Sequence, residues 1–79
     1  MSNSVIVTGG SKGIGWAIVE TLARSGYFVV SGSRTLRKNI PTDLTSRILQ
    51  VKMDVKNEHD HEKLVELANE KDHQLVAYV

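Results

Sequence analysis

The stretch "VTGGSKGIGWA", Val7 to Ala17, sets Gly9, Gly13 and Gly15 between an apolar run and a helical pattern. Glycines in that place do one kind of chemistry well. A helix N-terminus exposes unpaired N–H groups and a partial positive charge, which suits it to phosphate. Glycine lets the backbone turn tightly there and lets a pyrophosphate approach with no Cβ in its way. The spacing is Gly-x-x-x-Gly-x-Gly. It is neither the Gly-x-Gly-x-x-Gly dinucleotide fingerprint nor a Walker A loop, which needs Gly-Lys-Ser/Thr after its spacer.

The flanking elements must position that turn. "SVIVT", Ser4 to Thr8, is a short β-branched run, read as a strand buried on both faces, as in a parallel sheet. A helix follows from about Gly13 to Ser25. Ile14, Ala17, Ile18, Thr21, Leu22 and Ser25 share one face, Glu20 and Arg24 point away, and Gly26 ends it. "YFVVS", Tyr27 to Ser31, reads as a second strand. The chain from Gly32 to Ser46 is polar, carries the lone Pro41, and has room for one short helical turn. Ile48 to Lys52 is a third strand, closed by Asp54. Asn57 looks like an N-cap, with Asp60 three residues on, for a helix that runs to about Lys71 with Leu64, Val65, Leu67 and Ala68 as its apolar stripe. "QLVAYV", Gln74 to Val79, reads as a fourth strand. Strands alternating with crossover segments predict the start of a doubly wound parallel α/β sheet, a Rossmann arrangement with strand order 3-2-1-4.

Size and composition narrow the reading. Seventy-nine residues make one domain at most, and one this small is marginally stable alone. The net charge of +1 gives no ground for nucleic-acid or membrane-surface binding. With no cysteine there is no disulfide, thiolate nucleophile or Cys-based zinc site. No apolar run approaches the ~18 residues of a membrane span, and "MSNSVIV" lacks the features of a signal peptide. Cytoplasm is the expected compartment by elimination.

"TGGSKGIG", Thr8 to Gly15, resembles the Thr-Gly-x-x-x-Gly-x-Gly cofactor motif of the short-chain dehydrogenase/reductase family, matching every fixed position. The resemblance implies a nicotinamide dinucleotide, with Gly9, Ser11, Gly13, Ile14 and Gly15 about its pyrophosphate. At the end of the second strand, about 20 residues past the glycines, an NAD-binding enzyme places an Asp or Glu for the ribose 2′-hydroxyl. Here Ser33 stands in that position and Arg34 follows. Nothing there repels a 2′-phosphate, and a guanidinium is available to pair with one. Lys12 adds a second cation, as in NADP(H)-binding members. The competing reading makes Lys12 and Arg34 solvated surface charges. Asp54 and Val55, after the third strand, match the pair that contacts adenine in the family, although a lone Asp at a strand end is also a common turn residue.

The resemblance covers Val5 to Val79 but only the first part of the family's fold. The family's proton-transfer set, a Ser and a Tyr-x-x-x-Lys pair assisted by an Asn, has no counterpart: Ser31 lies four residues after Tyr27, and only Val79 follows Tyr78. The expectation is the NADP(H)-binding segment of an oxidoreductase that moves hydride between NADPH and a carbonyl or alcohol, inactive alone, with NAD(H) the less favoured cofactor. The missing part or another chain is expected to cover the fourth strand, otherwise an apolar sheet edge. The alternative is a non-catalytic, truncated nucleotide-binding or interaction module. A receiver-like domain with Asp54 as phosphoacceptor lacks the carboxylates needed after its first strand, where Gly9, Gly10 and Ser11 stand. His59 and His61, at i and i+2 on a helix, share no face and make no metal site. His73 is placed in a polar turn, Trp16 in packing, and Tyr78 in the core.

Overall fold

Apolar, β-branched runs form one parallel sheet, and two helices cover its faces. In the computed structural model, residues 2–9, 13–54, 56–70 and 73–79 are described. The strands are β1 (Ser2–Thr8), β2 (Phe28–Ser33), β3 (Ile48–Lys52) and β4 (His73–Tyr78). Helix α1 (Gly13–Arg24) joins β1 to β2, and α2 (Glu58–Ala68) joins β3 to β4. A short 3-10 turn, Thr42–Leu44, lies between β2 and β3. The strand order is β3-β2-β1-β4, with every pairing parallel, so the carboxyl ends of all four strands share one edge.

The central strands are buried on both faces, as their unbroken apolar runs require. Val5, Val7, Val29 and Ile48 pack under α1 with Val19, Ala23 and Leu44. Ile6 and Val30 face the other way and pack under α2 with Met53, Leu64 and Ala68. Each fully buried valine, leucine or isoleucine among these stabilises by about 1.5–3 kcal/mol. Ser4, fully buried between these groups, donates its hydroxyl to the Ala68 carbonyl at 2.6 Å and so satisfies a free acceptor at the end of α2. Asn69 ties the same helix end to β4, accepting the Leu75 N–H at 3.1 Å. No helix among the described residues is long and apolar enough to cross a membrane.

The structure differs from the sequence reading in several places. Strand β2 runs on through Gly32 and Ser33. A Cβ at Gly32 would collide with Met53 Sδ and stand 2.9 Å from Leu64 Cδ1, so this glycine is a strand residue in a tight packing site. Helix α1 buries Val19 and Ala23, with Trp16 partly buried beside them. Of the face that the spacing groups together, only Ile18 and Leu22 pack against this core; Ile14 is 82% exposed, and Ala17 and Thr21 are exposed too. Apolar residues reach round much of α1 outside the Glu20 and Arg24 side, and the sheet covers only part of them. Tyr78 is 43% exposed and therefore not core. Its hydroxyl contacts Nδ1 of His61, the two rings stack at 5.8 Å with 27° between their planes, and partial burial raises the phenol above its ordinary pKa. His73 begins β4 and does not lie in a turn.

Candidate functional site

The carboxyl edge of the sheet carries the described residues among those that the sequence singles out. Gly9 leaves β1 with φ 71° and Gly13 opens α1 with φ 55°. Both angles are in the left-handed region, which costs other residues about 1–2 kcal/mol. A Cβ on either would meet nothing within 4 Å. Conformation, not contact with the described residues, therefore holds these positions to glycine, and among the described residues nothing fills the space a Cβ would take. Gly9 donates its N–H to the Gly32 carbonyl at 2.7 Å, which fixes the turn against the end of β2. Gly15 lies in the first turn of α1, and Ile14 projects into solvent beside it. No acidic residue stands in that first turn, so the N-terminal charge of α1 meets no carboxylate of its own turn. Ser11 and Lys12 lie outside the described residues.

Next along the edge comes the end of β2. Ser33 is buried and donates its hydroxyl to the Thr35 carbonyl at 2.6 Å, which turns the chain out of the strand. Arg34 follows, with its side chain 70% exposed and Nη2 3.7 Å from Oδ1 of Asp54. Met53 donates to the Ser33 carbonyl at 2.9 Å, holding the ends of β2 and β3 side by side. The Asp54 carboxylate also accepts the Lys56 N–H at 3.0 Å. Val55 lies outside the described residues. Arg34, Lys52, Met53, Asp54 and Asp60 line one open groove. A guanidinium at the mouth of such a groove suits a phosphate, to which it presents a fork of donors.

Two groove residues escaped the sequence reading as site residues. Lys52 was assigned to β3 alone, although its place two residues before Asp54 was a readable signal. Asp60 was expected to serve the cap of α2. Asn57 does cap the helix, accepting the His59 N–H at 2.9 Å, but Asp60 reaches back to the Asp54 N–H at 3.1 Å. It thereby holds the turn that carries Asp54. His59 is exposed, with Nδ1 3.8 Å from Glu62, while His61 faces Tyr78, so the two histidines do diverge. No cluster of three potential metal ligands occurs among the described residues.

Comparison with known proteins agrees with this geometry. The sequence pattern of the short chain dehydrogenase family matches residues 3–77. The chain is 36% identical over 61 residues to 3-amino-tetrahydro-pyrrolizinone reductase of Xenorhabdus hominickii, an alignment covering 77% of this chain and 21% of that protein. It is 41% identical over 61 residues to farnesol dehydrogenase of Aedes aegypti, covering 70% and 25%. A short chain dehydrogenase from Bacillus anthracis superposes with a TM-score of 0.68 at 32% identity, covering 86% of this chain and 30% of that one. A short-chain dehydrogenase/reductase from Burkholderia vietnamiensis shares the fold with a TM-score of 0.71 at 17% identity, covering 95% and 39%. The chain thus spans a quarter or less of the length of these two sequence relatives.

Proposed function

The chain belongs to the short-chain dehydrogenase family, and from that membership we infer that its carboxyl edge holds NADP(H). Gly9, Ser11, Gly13, Ile14 and Gly15 would border the pyrophosphate at the N-terminus of α1. Lys12, Ser33 and Arg34 would take the 2′-phosphate, and Asp54 with Val55 the adenine. The observation that carries the reading is the pairing of an exposed Arg34 with a strand end that ends in Ser33 and bears no carboxylate. An acid there would repel a 2′-phosphate and bind the 2′-hydroxyl instead. Arg34 engages Asp54 through one nitrogen at 3.7 Å, which leaves the rest of its fork to a phosphate.

When bound, the nicotinamide supplies hydride chemistry; the residues of this chain bind and orient the dinucleotide. The 79 residues contain no Tyr-x-x-x-Lys, so in this reading the proton-transfer groups come from polypeptide beyond them, and the whole protein exchanges hydride between NADPH and a carbonyl or alcohol. That polypeptide, in the same chain or another, would also cover the outer side of β4, where Val79 is 53% exposed. It would likewise cover the apolar groove on α1 lined by Ile14, Ala17, Ile18, Thr21 and Leu22.

Titration of the chain and of its Arg34→Asp variant with NADPH and NADH tests the cofactor assignment. The wild type should bind NADPH more tightly. The variant should lose about 10- to 100-fold of NADPH affinity beyond any change for NADH, the worth of a charged hydrogen-bonded pair. Equal loss for both cofactors would remove Arg34 from the 2′-phosphate.

A further inference from the structure

Between Ser33 and the 3-10 turn at Thr42 the chain has no regular structure, yet Arg34, the residue on which cofactor choice rests, stands at its start. Besides the Arg34–Asp54 pair and the packing of Ile40 on the core, three contacts that meet at Arg37 fasten this segment to its neighbours. The Arg37 N–H donates to Oε1 of Gln50 at 2.7 Å, and Nε2 of Gln50 donates to the Arg37 carbonyl at 2.8 Å. Gln50 lies on β3 and pairs in register with Ser31 of β2. Its amide thus closes a two-point ring on the Arg37 backbone, as a neighbouring strand would. The Arg37 side chain then reaches α1, where Cζ lies 4.3 Å from the centre of the Trp16 ring. Trp16 is in the first turn of α1, directly after the glycine turn. The loop that begins with Arg34 is therefore tied on one side to the third strand and on the other to the helix whose N-terminus faces the pyrophosphate position.

We propose that Trp16, Arg37 and Gln50 form a clamp that positions Arg34, and that this clamp sets the preference for a 2′-phosphorylated over an unphosphorylated adenosine ribose. The proposal rests on the NADP(H) reading above. The Gln50 amide satisfies both backbone groups of Arg37, so the segment cannot shift along β3 without losing two hydrogen bonds. Stacking of a guanidinium on an indole face adds attraction, and the Arg37 Nε still donates to the Asn39 carbonyl at 3.4 Å. Held at Arg37, only three residues past Arg34, the loop has little freedom to carry the Arg34 fork away from the groove with Asp54. Entropy that a mobile loop would lose on gripping phosphate is already lost in the free protein. These are positioning residues: none needs to touch the nucleotide.

Trp16 is the only tryptophan in the chain, so its emission reports on the clamp without a label. The experiment compares wild type, Arg37→Met, Arg37→Lys and Gln50→Met, using adenosine 2′,5′-bisphosphate and 5′-AMP as probes and circular dichroism to confirm the fold. In the absence of nucleotide, Arg37→Met should change the Trp16 emission and Arg37→Lys should restore much of it. The ratio of affinities, bisphosphate over AMP, should fall about five- to tenfold in Gln50→Met and in Arg37→Met, as expected for one or two lost interactions, with AMP binding little changed. Unchanged emission in Arg37→Met would show that the clamp does not form. Altered emission with an unchanged ratio, or equal loss for both probes, would make it a structural tie and overturn the proposal. A wild type that fails to prefer the bisphosphate would instead strike the NADP(H) reading itself, and the proposal with it. Gln50→Met removes only side-chain atoms on the edge strand, and Arg37→Met leaves the backbone ring intact, so a folding defect in one variant leaves the other decisive.

Discussion

The two helices begin at the same edge of the sheet and differ at both their ends and their sides. Helix α2 neutralises its own N-terminus: Asn57 caps it, and Glu58 and Asp60 lie in its first turn. It carries one apolar stripe, and that stripe is the side that Leu64 and Ala68 bury. Helix α1 has no acid in its first turn, opens on a left-handed glycine, and is apolar on two sides, only one of which the sheet covers. A self-capped, one-sided helix is complete as packing. A helix whose first turn holds no acid, and which has a second apolar side, offers one end suited to an anion and one side suited to further polypeptide.

The contrast breaks most readily at the helix sides. Leu64→Ala should cost about 2–5 kcal/mol, because the side chain is fully buried. Ile14→Ala on the outer side of α1 should stay within about 0.5 kcal/mol. Urea unfolding of both variants measures the difference, and comparable losses would mean that the outer side of α1 is already covered. Gly13→Ala should cost about 1–2 kcal/mol through its positive φ. Its added methyl should also weaken NADPH and NADH alike, unlike the selective loss from Arg34→Asp. Asn57→Ala removes the cap of α2 and should cost about 1 kcal/mol with nucleotide affinity unchanged. A loss of binding there would move the anion site toward α2.

Much of this was legible in the residues. Apolar β-branched runs and glycine breaks marked the four strands, because local pattern and global fold agree there; their order followed from the Rossmann arrangement to which the alternation was assigned. The cap at Asn57 and the stripe on α2 were legible for the same reason. Helix α1 was misread in part: of its larger apolar stripe only Ile18 and Leu22 pack against the core, with Trp16, Val19 and Ala23, while Ile14 and Ala17 stay exposed. Periodicity shows which sides are apolar but not which of two sides the neighbours take. Gly32 read as the start of the polar connection because its place in β2 follows from Met53 and Leu64, which lie 21 and 32 residues further along the chain. At the site, Gly9, Gly13, Arg34 and Asp54 stood out by type and spacing. Gln50, Arg37 and Asp60 did not, because their roles are contacts between segments with no motif to mark them.

The central claim is that the dinucleotide sits at the N-terminus of α1 and across the ends of β2 and β3. Amide NMR of the labelled chain during titration with NADPH tests it most directly. The account predicts shifts concentrated at Gly9, Gly13, Gly15, Arg34 and Asp54, with the amides of Glu58 and His59 and those of Ala17, Thr21 and Leu22 nearly still. Shifts confined to the start of α2 or to the outer side of α1, with Gly13 and Arg34 unmoved, would contradict it.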